Sequence, residues 1–287
     1  MSVTSWSSVA EERRGCLYLV GTPIGNLEDI TARAVRILSE VNEVYAEDTR
    51  KGRALLSHLG IRGKGVSRHS EERGSRSAEE IAAKVSSGLT IALITDAGMP
   101  AISDPGTAVV RLLAEGDLHV EVIPGPTAES AAVALSGVVG GPYLFAGFLR
   151  PVRSELERAS RGAGEAGAAL VGYVSPHDVA KVIRAFADLL GEEAHAVICR
   201  ELTKVHEQRL AGALGQLAHA ERVAEPRGEY VLVLPHASLA AVVQDHAATL
   251  GQVLEACLDD SVSRSERAKR LAALTGRPRS EIYGRLS

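Results

Sequence analysis

Short apolar runs recur along this chain at 16–20, 43–47, 90–95 and 119–123. Each is strand-length and too short for a helix. Amphipathic stretches separate them. Val35, Leu38 and Val41/Asn42 fall at helical spacing, and Ile81, Val85 and Leu89 suggest another helix. Asp104-Pro105 reads as N-cap and first turn of a helix carrying Val109, Leu112 and Leu113. Strands alternating with helices predict a largely parallel sheet with helices on its faces.

A second series begins near Gly141-Pro142, with strands expected at 143–147, 168–174, 194–200 and 229–234. Ser175-Pro176-His177-Asp178 reads as a helix start, with Ser at the N-cap and Pro at the first position. Gly162, Gly164 and Gly167 mark a loop. The expectation is two α/β domains, at 15–138 and 139–236. A mobile extension over 1–14 and a helical tail over 237–287 flank them. Within the tail, 238–258 patterns as helix. Thr275-Gly276-Arg277-Pro278 divides the rest into two short helices, a layout like a small helix–turn–helix.

The polar positions cluster where strands end. Leu17–Val20 runs into Gly21-Thr22-Pro23-Ile24-Gly25-Asn26, and Asp29 and Thr31 then open a helix. Ligands of open α/β sheets commonly sit at such strand ends. This loop is neither G-x-G-x-x-G nor a P-loop, so a dinucleotide or a triphosphate is disfavoured. Asp96-Ala-Gly-Met-Pro-Ala-Ile-Ser-Asp-Pro-Gly106 follows the third run and Pro124-Gly-Pro-Thr-Ala128 the fourth. Asp96 suits a ligand hydroxyl or ammonium, whereas Asp104 is read mainly as a cap. Backbone N–H groups near Thr127 suit a polar or anionic group. Glu47-Asp48-Thr49-Arg50 and Arg200-Glu-Leu-Thr-Lys204 put charges at further strand ends, and Arg150 follows Phe145–Leu149 similarly. The segment 62–76, with His69 and Glu71, reads as a polar, partly basic loop.

Composition narrows the classes. Of 287 residues, 45% are hydrophobic and 24% charged, an ordinary globular balance, and aromatics are only 3%, so Ala, Val, Leu and Ile must build the core. A net charge of −4 excludes a uniformly basic nucleic-acid coat. Yet the tail is locally basic, with Arg264, Arg267, Lys269, Arg270, Arg277, Arg279 and Arg285 against Glu266 and Glu281. That suits either RNA contact or a solvated helical pair at the body or a dimer interface. Cys16, Cys199 and Cys257 are isolated. They predict neither a disulfide framework nor a zinc site, and Cys16 and Cys199 are expected as buried thiols in a reducing cytosol. His177, His195 and His206 lack metal-ligand spacing. No apolar run reaches membrane-span length and no secretory signal is expected, so the chain is read as cytoplasmic.

Seven ordered blocks carry a resemblance: LYLVGTPIGNLEDIT at 17–31, AEDTR at 46–50, DAGMPAISDPG at 96–106, PGPTA at 124–128, GFLRP at 147–151, RELTK at 200–204 and GEYVLV at 228–233. The chain resembles the small-subunit ribosomal RNA methyltransferase I family of the tetrapyrrole-methylase superfamily (class III methyltransferases). The resemblance implies two α/β domains of that type with a small C-terminal helical tail, S-adenosyl-L-methionine bound in the cleft between the domains, and commonly a homodimer. It implies methyl transfer to the ribose 2′-oxygen of a cytidine in the decoding region of 16S rRNA, within the small ribosomal subunit. The implied cofactor contacts are Thr22, Pro23, Asp96, Gly98, Met99, Thr127 and Ala128, with Tyr173, Leu202 and Gly228 from the second domain. Candidates for accepting the hydroxyl proton are Asp48, His69, Glu71 and Glu201. Arg50, Arg150 and Lys204 suit RNA contact. The chain departs from the family pattern at Val174, which replaces an acid, at Asp178, which replaces a base, and at Ser70, where Asn is usual. Two other readings stay open: methylation of a tetrapyrrole, and a non-catalytic RNA-binding or assembly factor on the same fold.

Overall fold

The computed structural model describes residues 15–69, 74–220, 227–239, 262–275 and 279–285. The expected extension over 1–14, Glu71, Cys257 and most of the helix expected at 238–258 lie outside the described residues. The chain divides into two compact units, Met1–Leu135 with Cys199–Gln208, and Ser136–Ile198 with Arg209–Ser287.

The first unit holds a five-stranded sheet. Its strands are β1 (Cys16–Val20), β2 (Glu43–Ala46), β3 (Val66–Arg68), β4 (Thr90–Ile94) and β5 (His119–Ile123), in the order β3-β2-β4-β1-β5. Every pairing is parallel. Helices α1 (Ala32–Glu40), α2 (Thr49–His58), α3 (Gly74–Ser86) and α4 (Thr107–Glu115) supply the four crossovers, and α5 (Ala128–Ser136) follows β5. A parallel sheet covered on both faces needs apolar strands throughout, and β1 and β4 are buried almost end to end. Leu17, Leu19, Ile91 and Leu93 face one apolar cluster with Ile81, Val85, Val109 and Leu113. Val20, Ala92 and Ile94 face the other, with Ala34, Ile37 and Leu38.

The helix starts follow local chemistry. Thr31 caps α1, its Oγ1 accepting from the Ala34 N–H at 3.0 Å. Asp48 caps α2, accepting from the Arg50 N–H at 2.8 Å. The expected cap at Asp104 is not observed. Helix α4 starts at Thr107, its N-cap is Gly106 (φ 147°), and no side chain caps it. The turns at 98–106 keep Asp104 outside the helix: Gly98, Ala101 and Ser103 all have positive φ.

The second unit holds β6 (Tyr143–Leu149), β7 (Ala169–Val174), β8 (His195–Arg200), β9 (Gln208–Ala213) and β10 (Tyr230–Leu234), in the order β6-β7-β10-β8-β9. Its sheet is mixed: β6 pairs parallel with β7, and β10 pairs antiparallel with β7. Helices α6 (Arg153–Glu165), α7 (Val179–Leu190) and α8 (Leu214–Ala218) pack here. Phe186, Ile183, Leu156 and Leu232 are in its core. Two expectations are corrected. Gly162 and Gly164 lie inside α6, not in a loop, because Ala163 and Gly164 are buried and packing overrides weak helix propensity. Helix α7 starts at Val179 with Asp178 as N-cap, and Ser175 instead accepts the His177 N–H at 3.4 Å. The tail forms α9 (Arg264–Thr275) and α10 (Arg279–Arg285). Arg264 sits 4.8 Å from the Tyr283 ring centroid and donates to the Tyr283 carbonyl at 2.9 Å.

Candidate functional site

In the first unit, the loops after β1, β4 and β5 leave the same edge of the sheet and lock together. Thr22 and Gly98 form an antiparallel bridge, Thr22 N donating to Gly98 O at 2.9 Å and Gly98 N to Thr22 O at 3.1 Å. Thr22 is only 2% exposed. Its hydroxyl donates to the carbonyls of Thr95 (3.2 Å) and Gly98 (3.3 Å), joining the first loop to the second. Gly21 N donates to Ile123 O at 3.0 Å, joining it to the third. A Cβ on Gly21 would lie 2.6 Å from Gly125 Cα and 2.7 Å from Met99 Sδ, and a Cβ on Gly125 would lie 2.8 Å from Gly21 Cα. Both positions therefore need glycine for close approach, not for a turn.

A cleft of about 270 Å³ opens beside this seam, just below the usual range of small-molecule sites. Thr22, Pro23 and Leu27 line one wall, Lys51 and Leu55 of α2 another, and Thr95 and Asp96 the floor. Asp96 Oδ1 accepts the Asp48 N–H at 3.1 Å, and its Oδ2 pairs with Lys51 Nζ at 2.8 Å. Thr95 Oγ1 donates to Glu47 Oε2 at 3.2 Å. Lys51 was not singled out from the sequence, and Glu47 entered only as part of the charged Glu47–Arg50 block. The signal for Lys51 was adjacency to that block at the end of β2.

The charged candidates occupy distinct environments. Asp48 is paired with Arg50 through Nε (3.2 Å) and a terminal nitrogen (2.7 Å). Those hydrogen bonds, then the backbone N–H of Arg50, hold its carboxyl well below the usual range. Asp48 is thus a weak base, while the Arg50 side chain is 87% exposed and turned to solvent. His69 is buried at the end of β3, its Nδ1 2.8 Å from Ser77 Oγ, and burial lowers its pKa. Asp104 is half-buried. Desolvation, opposed by a Thr95 hydrogen bond and reinforced by Glu47 and Asp96, pushes it up to about 6. At the third loop, Thr127 Oγ1 lies 2.7 Å from Ser130 Oγ at the start of α5, where Ala128 is the first residue.

Glu201, Leu202 and Lys204 follow β8, and residues 199–208 pack with the first unit. Thr203 Oγ1 accepts the Asn26 N–H at 3.0 Å. A Cβ on Gly25 would meet Leu202 O at 2.7 Å and Lys204 Cγ at 2.6 Å. Glu201 and Thr203 adopt positive φ, and Glu201 Oε1 pairs with Lys204 Nζ at 2.8 Å. Strain of this kind in a non-glycine loop is common at functional sites. The sequence blocks 21–26 and 200–204 are therefore neighbours across about 180 positions.

Within the second unit, the Tyr173 ring stacks edge-on against Phe145 and Phe148, at 4.9 and 5.4 Å between centroids. Arg150 forms a two-pronged pair with Glu155, at 3.1 and 2.7 Å. Gly228 has φ 98° just before β10. Val174 is buried in the core, and Asp178 pairs with Lys181 at 3.2 Å, so these two of the three departures have local structural partners, and Ser70 lies outside the described residues.

The tetrapyrrole (corrin/porphyrin) methylase profile matches residues 16–218. The chain belongs to the tetrapyrrole methylase family. Within that family it is 35% identical over 269 residues to ribosomal RNA small subunit methyltransferase I of a Synechocystis species, covering 94% of this chain and 96% of the relative. It is 33% identical over 273 residues to the protein of the same name from Bacillus subtilis, covering 94% and 93%. Among solved structures, the fold is similar to diphthine synthase (TM-score 0.63, 15% identity, covering 80% of this chain and 95% of that one) and to a cobalt precorrin-4 methyltransferase (TM-score 0.60, 17% identity, covering 79% and 96%). The expected fold class of two α/β domains is observed. Methyl transfer is the activity of this family, and methyltransferase is the enzyme class of this member. Among the described residues no helix is long and apolar enough to cross a membrane.

Proposed function

We propose that this chain transfers a methyl group from S-adenosyl-L-methionine to the ribose 2′-oxygen of a cytidine in the decoding region of 16S rRNA, acting in the cytoplasm on the small subunit as a homodimer. The observation that carries the reading is the three-loop seam beside a cleft floored by Asp96, in a chain whose relatives over nearly its whole length are named as small-subunit rRNA methyltransferases.

The residues present fit the methyl donor. Asp96 offers a carboxylate for a hydroxyl or ammonium group. Gly21 and Gly125 let the first and third loops close on each other beside it, and Met99 packs at the same seam. Thr22, Pro23, Asp96, Gly98, Met99, Thr127 and Ala128 are the proposed contacts, completed by Leu202, Tyr173 and Gly228. When bound, the donor supplies an electrophilic methyl carbon on a sulfonium. The leaving thioether is neutral, so no acid is needed, and the task left to the protein is alignment, which can supply roughly 7–11 kcal/mol. A base near the hydroxyl takes its proton during or after attack. Of the candidates, Asp48 is held a weak base by Arg50, and His69 and Glu201 are engaged by Ser77 and Lys204. Glu71 lies outside the described residues. The exposed Arg50, with Lys204 and Arg150, would hold phosphate without reading bases.

The test is methyl transfer from radiolabelled donor to small subunits lacking the modification, with the nucleotide mapped by mass spectrometry. Asp96→Ala is expected to abolish donor binding. Arg50→Ala is expected to keep donor binding and lose most transfer. A modified base in place of a ribose, or label only on a porphyrinoid, would overturn the proposal.

A further inference from the structure

The parallel register of β1 and β5 places Cys16 directly opposite His119, and Tyr18 opposite Glu121. Side chains two apart on a strand share a face, so the imidazole and the carboxylate lie on the same side of the β5 edge as the thiol. The Cys16 sulfur, a His119 ring nitrogen and a Glu121 carboxylate oxygen lie within 4.8 Å of one another. Among the described residues no other group of such donors comes together. Cys16 is buried, whereas His119 is exposed and Glu121 half-exposed. One donor is thus fixed by the core, and the other two rotate freely enough to close on an ion.

We propose that Cys16, His119 and Glu121 form a site for a divalent transition-metal ion, zinc by preference. A thiolate with an imidazole and a carboxylate selects zinc over magnesium or calcium, which take oxygen donors. Zinc–ligand bonds of about 2.0–2.3 Å place tetrahedral donors roughly 3.5 Å apart, so closure asks for about 1 Å of side-chain rotation without movement of the sheet. Three protein donors leave a fourth position for water. Glu121 is ion-paired with Arg33 of α1. That pair is exposed, so exchanging it for the metal costs little. The site lies at the N-terminal ends of β1 and β5, whereas the methyltransferase loops leave their C-terminal ends. Four strand steps of about 3.3 Å separate the two. The ion would clamp the edge strand β5 to its neighbour β1.

Spacing along the sequence hid the site, because about a hundred residues separate Cys16 from His119. Only the strand register makes them neighbours.

Titration of chelator-stripped full-length protein with cobalt(II) reads the thiolate directly. The expected result is a sulfur-to-cobalt charge-transfer absorption that saturates at one cobalt per chain and disappears on adding zinc. It is lost in Cys16→Ser and retained in a Cys199→Ser/Cys257→Ser double variant. The exposed His119→Ala change leaves the fold intact, checked by circular dichroism, and weakens zinc by more than about tenfold, the loss that even an outer-shell partner produces. Zinc raises the melting temperature of the parent chain and not of Cys16→Ser. Absence of the charge-transfer band, its survival in Cys16→Ser, or unchanged zinc affinity in His119→Ala overturns the proposal.

Discussion

Gly21 and Gly125 have their alpha carbons close enough that a methyl group on either would strike backbone, which side-chain rotation cannot relieve. Gly21→Ala is therefore expected to cost about 1–3 kcal/mol and to weaken S-adenosyl-L-methionine binding, read together by denaturant unfolding and calorimetry. Asp104 makes a second residue-scale prediction. Folding raises its carboxyl from 3.8 to about 6, so the folded chain holds a proton that the unfolded chain has lost across that window. Its contribution to stability thus falls as pH rises from about 4 to 6. Asp104→Asn, which carries no charge to bury, is expected to be more stable than the parent at pH 7.5 by on the order of 1–2 kcal/mol. The gap closes toward pH 4, as melting curves across pH will show.

Helix α1 depends on the Thr31 cap, and Thr31→Ala is expected to destabilise the chain by about 1 kcal/mol without altering the Thr22–Gly98 bridge. The strands show which elements an apolar pattern reveals. The runs at 16–20, 43–47, 90–95 and 119–123 coincide with β1, β2, β4 and β5 to within a residue. Strands β3 and β9 were not anticipated, and both lie at sheet edges. The other edge strands, β5 and β6, carry apolar runs, but Val66-Ser67-Arg68 is only three residues long and Gln208–Ala213 is fully buried only at Ala213, so neither gives a strong apolar signal, and a neighbouring strand recruits them through hydrogen bonds. The glycines within α6 misled for the mirror reason: local propensity favours a loop, and burial against the second core overrules it.

At the scale of the whole chain, residues 199–208 belong with the first unit although the strands flanking them belong largely to the second. A chain ending at Leu135 would lose the Thr203 acceptor for Asn26 and the backbone packed on Gly25. Amide exchange over 21–26 is expected to be faster in that fragment than in the intact chain. Association with small subunits should weaken steeply with salt, because each phosphate contact releases counterions, while donor binding should change little. The sequence by itself determined the two α/β series, the loops that carry polar chemistry and the family, because these rest on local periodicity and contiguous blocks. Tertiary structure alone decided that Gly21 serves close approach and that Asp104 is a half-buried acid instead of a cap. It also decided that 200–204 meets 25–26 and that Cys16 faces His119. The reason is common to all four: each depends on which distant backbone lies alongside, and that is set by sheet register and loop packing, which no local pattern encodes.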